Sequence, residues 1–305
     1  MTKNQALLRI RQLSVHFGAG ERAPRAVQEV SLDVHAGDIV ALIGESGSGK
    51  SATALSVFGL LGRPGRIAAG EIWLGEKDLL RMKPGQLRRT RGREMAMILQ
   101  DPGNSLNPVL PIGTQMIETV RQHRRVSRRE ARMIAIDQLG RVGLPEPEGL
   151  LRRYPFQISG GMCQRVMIAL ALVSGARLLI ADEPTTALDV MIQAQILEEL
   201  DRLRRESGLA ILLITHDLGV VAEKADFVYV MKEGRIVEAG DVHQIFERPA
   251  HPYTRELLDS RFLHRDAPAM EPPGASIAGE EVEYADRNSS PYQTIQAPEG
   301  VVIPG

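Results

Sequence analysis

With 305 residues and 43% apolar side chains, the chain is long enough to bury a sizeable core. Its 37 basic and 38 acidic residues leave a net charge of -1, so no global basic field exists to drive nucleic-acid binding. The single cysteine, Cys163, excludes an internal disulfide and any metal or iron–sulfur site built from several cysteines of this chain, and it fits a reducing compartment.

Arg9 and Arg11 interrupt the apolar start as a leader would not allow, and no later segment reaches the roughly 18 to 20 apolar residues of a membrane span. The expectation is a cytosolic chain that works at a membrane only by docking on spanning subunits. Residues 7–17 and 27–34 alternate apolar and polar positions, the pattern of half-buried antiparallel strands. DIVALI at 38–43 is a continuous apolar run suited to a fully buried strand. GESGSGKS at 44–51 follows, and SATALSVFGLL continues as a helix.

Residues 71–74 and 95–99 read as further strands, and about 110–155 is mostly helical. There Ser127 and Glu130 form a capping box, Ala131, Ile134, Ala135, Leu139 and Val142 share a face, and Gly143 stands where a helix ends. A helix at about 162–174, a strand at 178–182, a helix at about 192–206 stopped by Gly208, and a strand at 210–215 come next. A short helix near 218–224 and a hairpin complete the series, which implies a largely parallel sheet covered on both faces. From about residue 261 to 305 Pro, Gly, Ser and acidic residues dominate, so this extension is expected to be loosely ordered.

The chemistry begins at the glycine-rich loop. Gly44, Gly49, Lys50 and Ser51 fit the phosphate-loop pattern, and Gly47 adds backbone freedom. Loop amides and the helix N-terminus supply partial positive charge, Lys50 a full charge at the β- and γ-phosphates, and Ser51 a hydroxyl for magnesium. Asp182 and Glu183 end the strand LLIAD at the carboxyl edge of the sheet, where α/β ligands bind. Asp182 would hold magnesium through water, and Glu183 would polarise the water that attacks the γ-phosphate. Taken alone, the two carboxylates also fit a plain helix start.

Over about residues 7–260 the chain resembles the ATP-binding subunits of ABC transporters, with every motif of that family in order. GESGSGKS is similar to its Walker A loop, Gln100 to the Q-loop glutamine, ISGGMCQR to the signature, and LLIADE to Walker B. Thr185 through Asp189 resemble the D-loop, and His216 in THDL the switch histidine. The resemblance implies an α/β fold: a P-loop NTPase core with a mostly parallel sheet, an N-terminal antiparallel β-subdomain and a helical insert at about 101–172 carrying the signature. It implies one ATPase domain over residues 1–260.

ATP with Mg2+ is the implied ligand, bound by Gly44, Glu45, Ser46, Gly47, Ser48, Gly49, Lys50, Ser51 and Ala52, with Ser51, Gln100 and Asp182 at the metal. Phe17 would stack on adenine, or simply pack in the core. Glu183, His216, Gln100 and Lys50 would be catalytic. Ser159, Gly160, Gly161, Gln164 and Asp189 would face nucleotide held by a second ATPase chain. Ile158 and Met162 depart from the commoner LSGGQ signature, and Ala52 removes a hydroxyl often found after the loop.

Residues 98–113, 185–197 and 248–257 resemble the oligopeptide, dipeptide and nickel importer branch, and the first of its two paired ATPase types. Implied partners are two permease subunits, a second ATPase, with a paralogue favoured, and an extracytoplasmic solute-binding protein, all at the cytoplasmic membrane. Peptide is the expected solute, with nickel, opine or another small solute open. A soluble non-transport ATPase and a phosphotransferase are weaker alternatives. Some relatives carry a cysteine-rich cluster site near the C-terminus. This chain has no cysteine after Cys163, so no iron–sulfur cluster is expected. The stretches Arg88, Arg89, Arg91, Arg93 and Arg121, Arg124, Arg125, Arg128, Arg129 have no aromatic residues among them, and Glu94, Glu118 and Glu130 interleave. That favours a solvated face over nucleic acid, with anionic lipid or a membrane subunit as a third option.

Overall fold

The computed structural model describes residues 6–20, 23–98, 105–173, 175–184 and 190–262. Two sheets organise them. One is antiparallel, in the order β2-β1-β4-β5, and is built from β1 (Leu8–Phe17), β2 (Arg25–Val34), β4 (Gly65–Leu74) and β5 (Lys77–Asp78). The other runs β10-β9-β3-β8-β7-β6, from β3 (Ile39–Ile43), β6 (Met95–Ile98), β7 (Leu178–Asp182), β8 (Ala210–Ile214), β9 (Phe227–Lys232) and β10 (Arg235–Asp241). Its pairs are parallel except β9 with β10, which close as the expected hairpin.

The continuous apolar runs explain the parallel centre. Every residue of β3, β7 and β8 is buried, because helices or the antiparallel sheet cover both faces. Alternate residues feed two cores. Ala41 and Ile43 join one with Leu179 and Ala181, and Val40 and Leu42 join the other with Leu178 and Ile180. A one-residue slip of any of these strands would exchange its two sets. Truncating one of the leucines to alanine costs about 2–5 kcal/mol.

The helical insert folds as Ile112–His123, Arg128–Arg141, Pro147–Leu150 and Gly160–Leu172. Ser127 Oγ accepts from Glu130 N at 3.2 Å while Glu130 Oε2 accepts from Ser127 N at 2.8 Å, which is the expected capping box. Ala131, Ala135, Leu139 and Val142 turn into the core. Gly143, at φ +69°, ends the helix as anticipated.

The structure differs from the sequence reading at several edges. β4 begins at Gly65 rather than 71, because its first residues are largely exposed and carry only a weak alternation. The signature helix starts at Gly160 rather than 162, since Ser159 caps it, its Oγ accepting from Met162 N. The helices Pro84–Thr90, Val242–Glu247 and Pro252–Phe262 had no expected counterpart. The expected extension from residue 261 falls almost wholly outside the described residues.

Candidate nucleotide site

β3 ends directly in the phosphate loop. At Gly44 (φ +150°) a Cβ would lie 2.1 Å from the Met231 carbonyl oxygen, and at Gly49 (φ +107°) 2.3 Å from that of Ala26. Both glycines are therefore required by the packing of the loop against β9 and β2, quite apart from the anion it would hold. Gly47 (φ +80°) has open space beside it, so there the demand is conformational alone. The Lys50 ammonium is buried and donates to the carbonyl oxygens of Gly44 and Glu45, both at 2.8 Å. Burial pushes its pKa down, and the charges of Glu183, Asp182 and Glu45 partly offset that. A buried cation thus spans the loop at the N-terminus of helix Lys50–Phe58.

Asp182, the last residue of β7, is buried and hydrogen-bonded to the Ser51 side chain. Burial pushes its carboxyl up, the Ser51 hydrogen bond opposes this, the Glu183 charge adds to the rise, and Lys50 opposes it. Two oxygen donors from different elements therefore converge beside Lys50. Among the described residues there is no group of three or more His, Cys, Asp and Glu able to hold a metal by themselves. A hydroxyl plus one carboxylate fits Mg2+, which keeps water and phosphate oxygens in most of its positions.

Glu183 lies one residue past β7, at φ +48°. A left-handed backbone costs a non-glycine residue about 1–3 kcal/mol. It is held there by its amide, which donates to the Ile214 carbonyl oxygen at 2.8 Å, continuing the β7–β8 ladder beyond the strand. Two residues past the end of β8, His216 brings Nδ1 to 3.3 Å from Glu183 Oε1. The turn carrying His216 is pinned on both sides. Asp217 N donates to Thr215 Oγ1, while the Asp217 carboxylate caps helix Leu218–Lys224 and accepts from Gln193 Nε2 at 2.7 Å.

The signature behaves differently along its length. Ser159 and Gly160 are exposed at the start of their helix, and a Cβ on Gly160 would meet nothing within 4 Å. Gln164 is buried, and its amide donates to the Pro184 carbonyl oxygen, the residue after Glu183. It links the signature helix to the acidic strand end inside one chain, a role that its resemblance-based grouping with Ser159 did not suggest. Gln100 and Thr185 through Asp189 lie outside the described residues. Phe17 ends β1 half-buried, with its ring against Gly65.

Tyr253 was not singled out from the sequence. It is buried, its hydroxyl accepts from Glu45 N at 3.1 Å, and Lys232 Nζ lies 4.5 Å from its ring centre. Its helix is set by Glu238, which accepts from the amides of Ala250 at 2.7 Å and His251 at 3.0 Å. The run HPYT was legible as a family marker, but nothing local in it pointed to the phosphate loop.

Strand, glycine-rich loop and helix, with an acidic strand end two strands over, beyond β8, define a phosphate-loop NTPase. The exposed Ser-Gly helix start narrows this class, and the chain belongs to the ABC transporter family, whose model matches residues 27–186. The dipeptide transport ATP-binding protein DppD of Escherichia coli (strain K12) is 50% identical over 254 residues, covering 83% of this chain and 77% of that one. A putative peptide import ATP-binding protein of Brucella melitensis is 48% identical over 279 residues, covering 90% and 82%. The dimeric post-hydrolysis structure of the ATP-binding cassette MJ0796, bound to ADP and Pi, superposes with a TM-score of 0.70 at 26% identity, over 77% of this chain and 98% of that one. The expected fold is borne out, and the chain is an ATPase of the ABC type.

Proposed function

We propose that this chain is the ATP-hydrolysing subunit of an importer that moves a peptide-like solute across the cytoplasmic membrane, at whose cytoplasmic face it works. The observation that carries this reading is the Glu183–His216 pair set beside Lys50, Asp182 and Ser51 at the phosphate loop. Lys50 and the loop amides hold the β- and γ-phosphates. Asp182 and Ser51 would hold Mg2+, whose charge neutralises the phosphate oxygens when it is bound. Glu183 accepts a proton from the attacking water, and His216 fixes the Glu183 carboxylate and contacts the γ-phosphate. The bond to the leaving ADP oxygen then breaks. Gln100 completes the water's surroundings, and Phe17 stacks on adenine.

Ser159, Gly160 and Gly161 serve nucleotide on a second ATPase chain, together with Asp189. Gln164 contributes by coupling that helix start to Pro184. No helix among the described residues is long and apolar enough to cross a membrane, so transport requires permease subunits. An apolar groove of about 370 Å3, lined by residues including Phe58, Leu60, Met97, Thr119 and Met167, offers a seat for a permease helix between the core and the helical insert. The names of the relatives support peptide as the solute. Co-purification from membranes tests the proposal. Two permeases, a second ATPase and a solute-binding protein are expected. Turnover by the isolated chain that is independent of its concentration and yields a phosphorylated acceptor would contradict it.

A further inference from the structure

The two arginine-rich stretches meet in space at Gly92 and His123, 31 positions apart in sequence. His123 packs its ring over Gly92, where a Cβ would fall 2.4 Å from Nε2. The contact closes a cavity of about 740 Å3 lined by Arg88, Arg89, Arg93, Arg121, Arg124 and Arg125 together with Gln122 and His123. The glutamates that interleave with these arginines in sequence do not line it. Glu94 pairs with Lys77 and Arg177, and Glu130 is spent on the Ser127 cap. Among the described residues none of the six arginines has a carboxylate within ion-pair distance. Arg91 is set apart, because its guanidinium donates to the carbonyl oxygens of Phe58 and Gly59.

Six like charges around one concavity repel, and no carboxylate among the described residues pairs with them to offset that. Burial leaves His123 below its ordinary pKa, so it adds a neutral wall. Planar guanidinium forks match the paired oxygens of a phosphodiester. Among the described residues the cavity has no Phe, Tyr or Trp on which a base could stack, and its one imidazole, His123, packs against Gly92. It also adjoins the apolar groove through Gly92, whose neighbour Arg93 lines the one while it lines the other. We propose that this cavity binds the phosphate headgroup of an anionic phospholipid, holding the subunit to the membrane surface next to its permease seat. The neighbourhood of a permease rests on the importer reading, whereas the chemistry of the cavity does not.

The test uses the full chain without any permease, so failure here is separable from failure of the importer reading. Flotation with vesicles rich in phosphatidylglycerol is expected, with little on pure phosphatidylcholine and loss at about 1 M salt, where screening acts within about 3 Å. Arg89→Gln with Arg124→Gln should weaken vesicle binding about fivefold per arginine. Arg128→Gln with Arg129→Gln removes equal charge outside the cavity and should weaken it far less. Equal losses in both double variants, or no flotation of the parent chain, would overturn the site. Binding of inorganic tripolyphosphate that is lost in the cavity variant, without vesicle binding, would overturn the lipid assignment in favour of a free polyphosphate.

Discussion

The Tyr253 hydroxyl accepts a hydrogen bond from the Glu45 amide at 3.1 Å, joining helix Pro252–Phe262 to the second residue of the phosphate loop. The two are 208 positions apart in sequence. A loop that must present its amides to phosphate gains from having a neighbouring amide fixed, because less ordering is left for the moment of binding. Tyr253→Phe removes only the hydroxyl. A hydrogen bond of this kind is worth about 0.5–1.5 kcal/mol, so ATP affinity, measured by titration, should fall about two- to tenfold with little change in turnover at saturation. Unchanged affinity would show that the contact only supports the fold.

The loop glycines should separate into two groups. Gly44→Ala and Gly49→Ala drive a Cβ into a backbone carbonyl in addition to occupying a left-handed φ, and should each cost at least about 2 kcal/mol in urea unfolding. Gly47→Ala meets only open space, and should cost about 1–2 kcal/mol from backbone strain. Equal losses at all three positions would refute the packing argument.

Gln164→Leu keeps approximate size but leaves the Pro184 carbonyl oxygen without its side-chain donor. A buried polar group stripped of its partner costs about 1–3 kcal/mol, which chemical unfolding would detect. A loss much below that range would mean the amide is not a structural link.

Acid sensitivity should localise to Glu238. Burial pushes its carboxyl up, but the Ala250 and His251 amides that donate to it, together with the His251 side chain nearby, outweigh this and hold it below its ordinary value of about 4.3. A depressed carboxyl stabilises the fold above its unfolded pKa, and that contribution fades as pH falls through the unfolded and then the folded value. The melting-temperature advantage of the parent over Glu238→Gln should therefore be full near neutrality and shrink below about pH 4.3. A constant advantage down to pH 3 would contradict the assignment.

What was legible in the sequence follows from how local each signal is. The loop 44–51 announces itself because its chemistry, its preceding strand and its following helix are contiguous. Ser127 with Glu130, and Gly143, were readable for the same reason. The pairing of Glu183 with His216 was not, because it depends on β7 lying beside β8. Neither was Tyr253, whose partner is a distant backbone amide and leaves no side-chain pattern. The arginine stretches were misleading in one dimension: glutamates adjacent in sequence turn to other partners once the helix and loop are in place.

We propose that Glu183, oriented by His216 one residue past β7, drives hydrolysis of ATP held on this chain's own loop. The most direct measurement is ATP turnover and nucleotide occupancy of Glu183→Gln in the assembled transporter. Loss of a general base costs about 100- to 10,000-fold, so turnover at this site should collapse while ATP stays bound. Retained turnover at this site, or loss of bound nucleotide, would contradict the account.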